Sequence, residues 1–203
     1  IGLQIIKCVN KPNDCIDYFK RSIELSPSFA QAYVTLIKYY NKICDYNSAL
    51  HYVNMAIKKF NDIDLHYLYG LVLFNLGELE KSEKVLVPIV DIISGSMKGK
   101  LYILLSRLYK FMYNFDKTDY YFNILFRNKH IYFNTDSEIR DLEHKYGHYL
   151  LLKGNYIKGF LYYNKQVLKL CGFFTKIFNN NNIVPLWCMD NYESGDNVFI
   201  YNS

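Results

Sequence analysis

His144 and His148 stand four residues apart, a spacing that puts two imidazoles on one face of a helix, where they could share a metal ion. Residue 145 is Lys, so the Glu of an H-E-x-x-H zinc site is missing, and no third ligand is spaced to complete the coordination sphere. Ser94-Gly95-Ser96-Met97-Lys98-Gly99-Lys100 has the composition of a phosphate-binding loop. Only three residues separate its glycines, however, and Leu101 stands where a magnesium-binding Ser or Thr would be needed, so the stretch reads as a loop between two structural units. Ser106, Asp91 and the scattered histidines form no nucleophile and base arrangement. The five cysteines (8, 15, 44, 171 and 188) are odd in number and include no C-x-x-C pair, which argues against a zinc knuckle or a disulfide framework and for a reducing cytoplasm. The expectation is a chain with no catalytic residue, no metal and no cofactor.

The elements that carry these side chains follow a period. Small residues recur at Cys15, Ala49, Ser82, Thr118 and Gly159, at intervals of 34, 33, 36 and 41. A residue pair with an apolar second member precedes the last four of them: Cys44/Tyr46, Gly77/Leu79, Tyr113/Phe115 and Gly154/Tyr156. Two helices that cross closely need a small side chain at the crossing, and the turn between them takes a compact residue followed by an apolar anchor; Tyr113 is the one that is not compact. The surplus in the last interval fits a loop insertion within residues 131–139.

The stretch from Ala30-Gln-Ala-Tyr33 through Leu36, Tyr40, Ala49 and Ala56 to Phe60, after Pro27, resembles a tetratricopeptide repeat. Further copies lie at Leu68-Tyr69-Gly70 to Ser82, at Leu105-Ser106 to Phe122 and at Tyr146-Gly147 to Tyr163, and a half copy runs from Cys15 to Pro27. The resemblance implies an all-α tetratricopeptide-repeat superhelix, an α-solenoid of about four and a half helix-turn-helix units, over residues 1–172. Phe173, Phe174, Ile177 and Phe178 have the spacing of one helical face, expected to cap the array before Asn179 to Asn182 end that helix, so 173–182 is a cap.

Residues 183–203 read differently, as a linker and a single β-strand: Val198 to Tyr201 is an apolar, β-prone run after a Ser-Gly-Asp-Asn turn. Pro185-Leu186-Trp187, a polar spacer, Gly195 and the strand from Asn197 to Tyr201 look like the junction in bacterial proteins that join tetratricopeptide repeats to a heptosyltransferase-like, family 9 type glycosyltransferase domain. The resemblance implies a catalytic domain beyond Ser203 that would bind a nucleotide sugar, with its Gly-rich loop following the strand; the start at Ile1 likewise reads as a cut.

Projected on the repeat frame, the first helix of each unit lines a concave groove with Val34, Lys38, Asn41 and Lys42, then Tyr67, Leu71, Phe74 and Asn75. The later units add Lys100, Ile103, Arg107 and Lys110, then Asp141, His144, His148 and Leu151. Cations outnumber acids there and aromatics are interleaved, so the expected partner is a protein or an extended acidic or mixed peptide held by Lys38, Lys42, Tyr67, Arg107, His144 and His148. Two specialised binding modes are not carried over. Val34 and Lys38 replace the Lys and Asn of the two-carboxylate clamp, and Thr35, Leu68, Leu104 and Lys145 stand where the O-GlcNAc transferase repeats have an Asn ladder.

Composition narrows the classes. With 51% hydrophobic and 21% charged residues in 203, disorder is excluded as the general state. The 24 Lys and Arg against 19 Asp and Glu are scattered rather than gathered into arms, which speaks against nucleic acid as the partner. Val85 to Ile93 is broken by Pro88 and Asp91 and is far shorter than the roughly 20 residues of a membrane span. Much of the 18% aromatic content falls at repeat-packing positions such as Tyr46, Phe115, Phe122, Tyr156 and Tyr163. The reading is a non-enzymatic interaction module, the partner-binding part of a bacterial glycosyltransferase, or alternatively a free-standing adaptor that holds its partner in the groove.

Overall fold

The computed structural model describes residues 12–168, with side chains over 16–163. The cap at 173–182 and the linker and strand at 183–203 lie outside the described residues. Ten α-helices and one 3-10 turn are described: α1 (Pro12–Leu25), α2 (Ala30–Lys42), α3 (Tyr46–Ile57), α4 (Ile63–Asn75), α5 (Leu79–Leu86), the 3-10 turn Val87–Ile89, α6 (Gly95–Phe111), α7 (Phe115–Arg127), α8 (Lys129–Tyr132), α9 (Asp136–Leu152) and α10 (Tyr156–Leu168). No strand occurs among the described residues. The chain divides into two compact units, 1–132 and 133–203.

In the first unit α2/α3, α4/α5 and α6/α7 are antiparallel hairpins; α3 packs on α4, and the first helices touch their neighbours, α2 on α4 and α4 on α6. Its core is apolar side chains on the facing stripes, Ala32, Tyr33, Leu36, Ile37, Val53, Leu65 and Val72 among them. In the second unit α9 and α10 form a fourth hairpin. The small residues sit where the frame requires: Ala49, Ser82 and Thr118 are fully buried, and the Ser82 hydroxyl donates to the Gly70 carbonyl across the crossing at 2.8 Å.

The four hairpin turns share one geometry. Cys44, Gly77, Tyr113 and Gly154 adopt φ of 62°, 81°, 56° and 85°. The following amide in each case, of Asp45, Glu78, Asn114 and Asn155, donates at 2.9 Å to the carbonyl five residues back, which is a Schellman ending. Three of those four residues then cap the next helix: Asp45 Oδ1 and Asn114 Oδ1 each accept an amide at 3.1 Å, from Ser48 and Lys117, and Asn155 Oδ1 accepts from Lys158 at 3.4 Å. The middle residue of the turn therefore ends one helix and starts another.

Tyr113 pays a cost at this position that Gly77 and Gly154 do not, since a left-handed conformation disfavours a residue with a Cβ by roughly 1–2 kcal/mol. Its ring is exposed and meets the edge of Phe115 at 6.3 Å. Tyr113→Gly is expected to stabilise the chain by about 1 kcal/mol once the larger backbone entropy of unfolded glycine is subtracted. The urea midpoint should rise; a fall would mean that the Tyr113–Phe115 contact outweighs the backbone strain.

One sequence expectation is corrected. Residues 95–100 are not a loop between units but the opening turns of α6. Gly99 lets α8 approach: a Cβ there would stand 2.6 Å from the Tyr132 Cβ, and the Tyr102 and Tyr132 rings meet at 5.7 Å. The spare residues instead fall after α5, which lasts eight residues before Pro88, with no amide hydrogen to give, sits in the 3-10 turn. At the other insertion, α8 and the link to Asp136 take up the surplus. Thr135 and Glu138 form a reciprocal capping box that starts α9: the Glu138 amide donates to Thr135 Oγ1 and the Thr135 amide to Glu138 Oε2, each at 3.2 Å.

Candidate functional site

Three first helices, α2, α4 and α6, bring their exposed faces side by side in the first unit. The Asn75 amide nitrogen donates to Asn41 Oδ1 at 2.8 Å, a contact between residues 34 apart that ties the groove position of one repeat to the same position of the next. One repeat further on, the Arg107 guanidinium lies 4.8 Å from the centroid of the Phe74 ring, within cation-π range. Phe74 is almost wholly buried because Arg107 and the Phe111 ring, at 5.6 Å, cover it. Burial pushes the Tyr67 hydroxyl above its ordinary pKa, against the pull of Arg107. Burial, followed by repulsion from Arg107, holds the Lys110 ammonium below the usual lysine range, and its Nζ lies 5.1 Å from the Phe111 ring centroid.

Arg107 and Lys110 take part in no ion pair among the described residues. They stand near the C-terminal end of α6, where the helix dipole favours positive charge. Phe74, Asn75, Gly77, Leu79, Arg107 and Phe111 enclose an open hollow of about 370 Å³ at the rim of this face. Of the residues expected from sequence, Tyr67 and Arg107 are brought together here, while Lys38 and Lys42 are exposed on α2.

His144 and His148 lie in the second unit with rings 4.8 Å apart and perpendicular. The Tyr163 ring stacks on His144 at 4.7 Å and meets His148 edge-on at 4.9 Å, so these imidazoles are part of an aromatic cluster that sequence spacing did not foresee. Among the described residues, no three His, Cys, Asp or Glu side chains gather as a metal site. On the same helix Asp141 is ion-paired with Lys145.

The sequence places Leu79 only as a turn anchor and gives Phe111 no role at the groove. Both flank hairpin turns, and they meet the groove face only across the boundary between neighbouring hairpins, where a linear frame does not look. The signal present was the Phe111-x-Tyr113-x-Phe115 run, which places more aromatic surface than a turn requires.

No protein-family profile matches the chain, and no curated protein matches it. A solved structure does: the crystal structure of MamA aligns with a TM-score of 0.56 at 16% identity, covering 82% of this chain and 90% of that one. The described residues have a TPR-like all-helical fold. None of the described helices is long and apolar enough to cross a membrane.

Proposed function

We propose that the chain is a protein-binding module whose first-helix face, on α2, α4 and α6, holds an extended acidic peptide segment of a partner protein. The observation that carries this reading is Arg107, half-buried over the Phe74 ring and without a carboxylate partner among the described residues. A cation kept in place without a counter-charge offers a bidentate site for a carboxylate. Lys38, Lys42, Lys100 and Lys110 extend the same sign along the face, and a chain laid across it would be steered by that field. The TPR-like fold supports a scaffold role, since stacked hairpins present such a surface without needing a catalytic group.

Selection of a displayed random peptide library on the protein tests this. Enriched peptides are expected to be net acidic, and the Lys38→Glu, Arg107→Glu double variant should bind them about tenfold more weakly. Raising salt should weaken the wild type more than the variant. Enrichment without charge preference, or binding unchanged in the variant, would overturn the assignment.

The stretch from Pro185 to Tyr201, outside the described residues, supports a narrower reading in which the module presents partners to a glycosyltransferase domain that uses a nucleotide sugar. The coding sequence past Ser203 tests it: a Gly-rich loop followed by alternating strands and helices would support that reading, and an early stop codon would remove it. A cytoplasmic setting belongs to the same reading and suits the free, exposed thiol of Cys44.

A further inference from the structure

The hollow at the rim of the α4/α6 face has the composition of a specificity pocket. Its walls are the rings of Phe74 and Phe111 and the side chain of Leu79, while its polar groups are the Arg107 guanidinium and the Asn75 amide. Its volume of about 370 Å³ lies at the small end for ligand sites, enough for one or two side chains rather than a cofactor. Phe111 leaves 54% of its surface in solvent, although its ring already meets Phe74. Aromatic and arginine residues around a partly open cavity are the make-up of binding hot spots.

The polar groups are already oriented. The guanidinium carbon lies 4.8 Å from the Phe74 ring centroid and Arg107 takes part in no ion pair among the described residues, so its N–H donors can meet a carboxylate. The Asn75 nitrogen donates to Asn41, which fixes the amide so that the Asn75 oxygen remains as an acceptor for a peptide N–H. We propose that the hollow takes one bulky apolar side chain of the bound peptide, with an acidic residue one or two positions away on Arg107. Charge complementarity selects the occupant, because an apolar segment without an acid would leave Arg107 facing it unpaired. This inference rests on the reading of the face as a peptide site.

The test uses the full chain and peptides from the library selection. Enriched sequences should share a bulky apolar residue at a fixed short distance from Asp or Glu. In a synthetic peptide of that sequence, changing the apolar residue to Ala should weaken binding about tenfold on the wild type and less than about twofold on Phe111→Ala, the coupling expected of two groups in contact. Lys38→Glu should weaken both peptides equally. Acidic peptides without an apolar position, or losses that add fully in Phe111→Ala, would overturn the hollow while leaving the peptide face intact. Failure to enrich any peptide would overturn both. Self-association of the chain that Phe111→Ala abolishes would assign the hollow to a dimer interface and overturn the inference.

Discussion

Gly147→Ala is expected to cost the α9/α10 hairpin about 3 kcal/mol, the upper end of the range for overpacking a closed site. A Cβ at Gly147 would stand 2.6 Å from the Tyr163 amide nitrogen, 3.0 Å from the Gly159 carbonyl oxygen and 3.1 Å from the Tyr162 carbonyl carbon. All three are backbone atoms of α10, so no side-chain rotation relieves the clash. The crossing is tight from the other side too, since a Cβ at Gly159 would meet the Leu151 amide nitrogen at 2.9 Å and its Cδ2 at 2.7 Å. The helices would have to separate by roughly 1 Å to reach ordinary contact distances. That displacement would loosen Leu142, Tyr149 and Leu150, which are buried on α9. Gly154→Ala in the same unit is the comparison: its φ of 85° disfavours a Cβ, but nothing lies within 4 Å, and a loss of about 1 kcal/mol is expected. Urea unfolding and amide hydrogen exchange in α9 and α10 measure both. Equal losses for the two variants would refute the claim that close backbone approach holds this hairpin together.

That contrast shows what the sequence could and could not convey. The repeat frame was legible because two crossing helices need a small residue at one point in every hairpin, and Ala49, Ser82, Thr118 and Gly159 recur with the period. The pairing of Gly147 with Gly159, backbone against backbone, is a property of the crossing rather than of either residue's neighbours in the chain. The start of α6 was misread because Ser-Gly-Ser favours turns locally, whereas packing of Gly99 and Tyr102 against Tyr132 on α8 overrides that propensity. The aromatic residues expected at repeat-packing positions are not uniformly buried: Phe122 is, but Tyr156 is about half exposed and Tyr163 more than a third. The site was partly legible. Arg107 and Tyr67 follow from the frame, while the hollow depends on Phe111 and Leu79 from neighbouring hairpins.

Tyr109→Phe is the second large effect, expected to cost the first unit about 1.5 kcal/mol, the low end for a hydrogen bond to a charged group. Tyr109 on α6 is nearly inaccessible, and its hydroxyl donates to Glu83 Oε1 on α5 at 2.6 Å. Lys117 on α7 donates to the same carboxylate oxygen at 3.0 Å and to the Tyr109 hydroxyl oxygen at 3.3 Å, and its Nζ lies 4.4 Å from the Tyr109 ring centroid. Three helices from two hairpins therefore meet at one carboxylate. The loss stays near the low end because Glu83 would keep Lys117 and some contact with water. The variant should also change the pH profile in a defined direction. The Tyr109 hydrogen bond, and after it Lys117, hold the Glu83 carboxyl below its ordinary pKa, so this contribution is present above the usual glutamate range near 4.3 and is lost as pH falls through it. Burial and then Glu83 raise the Tyr109 hydroxyl, and burial raises Tyr121, stacked on it at 5.7 Å, to about 12. Unfolded tyrosines ionise near 10, so the folded state is favoured below that value and loses ground as pH rises above it. The stability difference between wild type and Tyr109→Phe should therefore be widest between about pH 5 and 9 and close towards both ends. Urea midpoints across that range would show parallel curves if Tyr109 acted only through the packing of its ring.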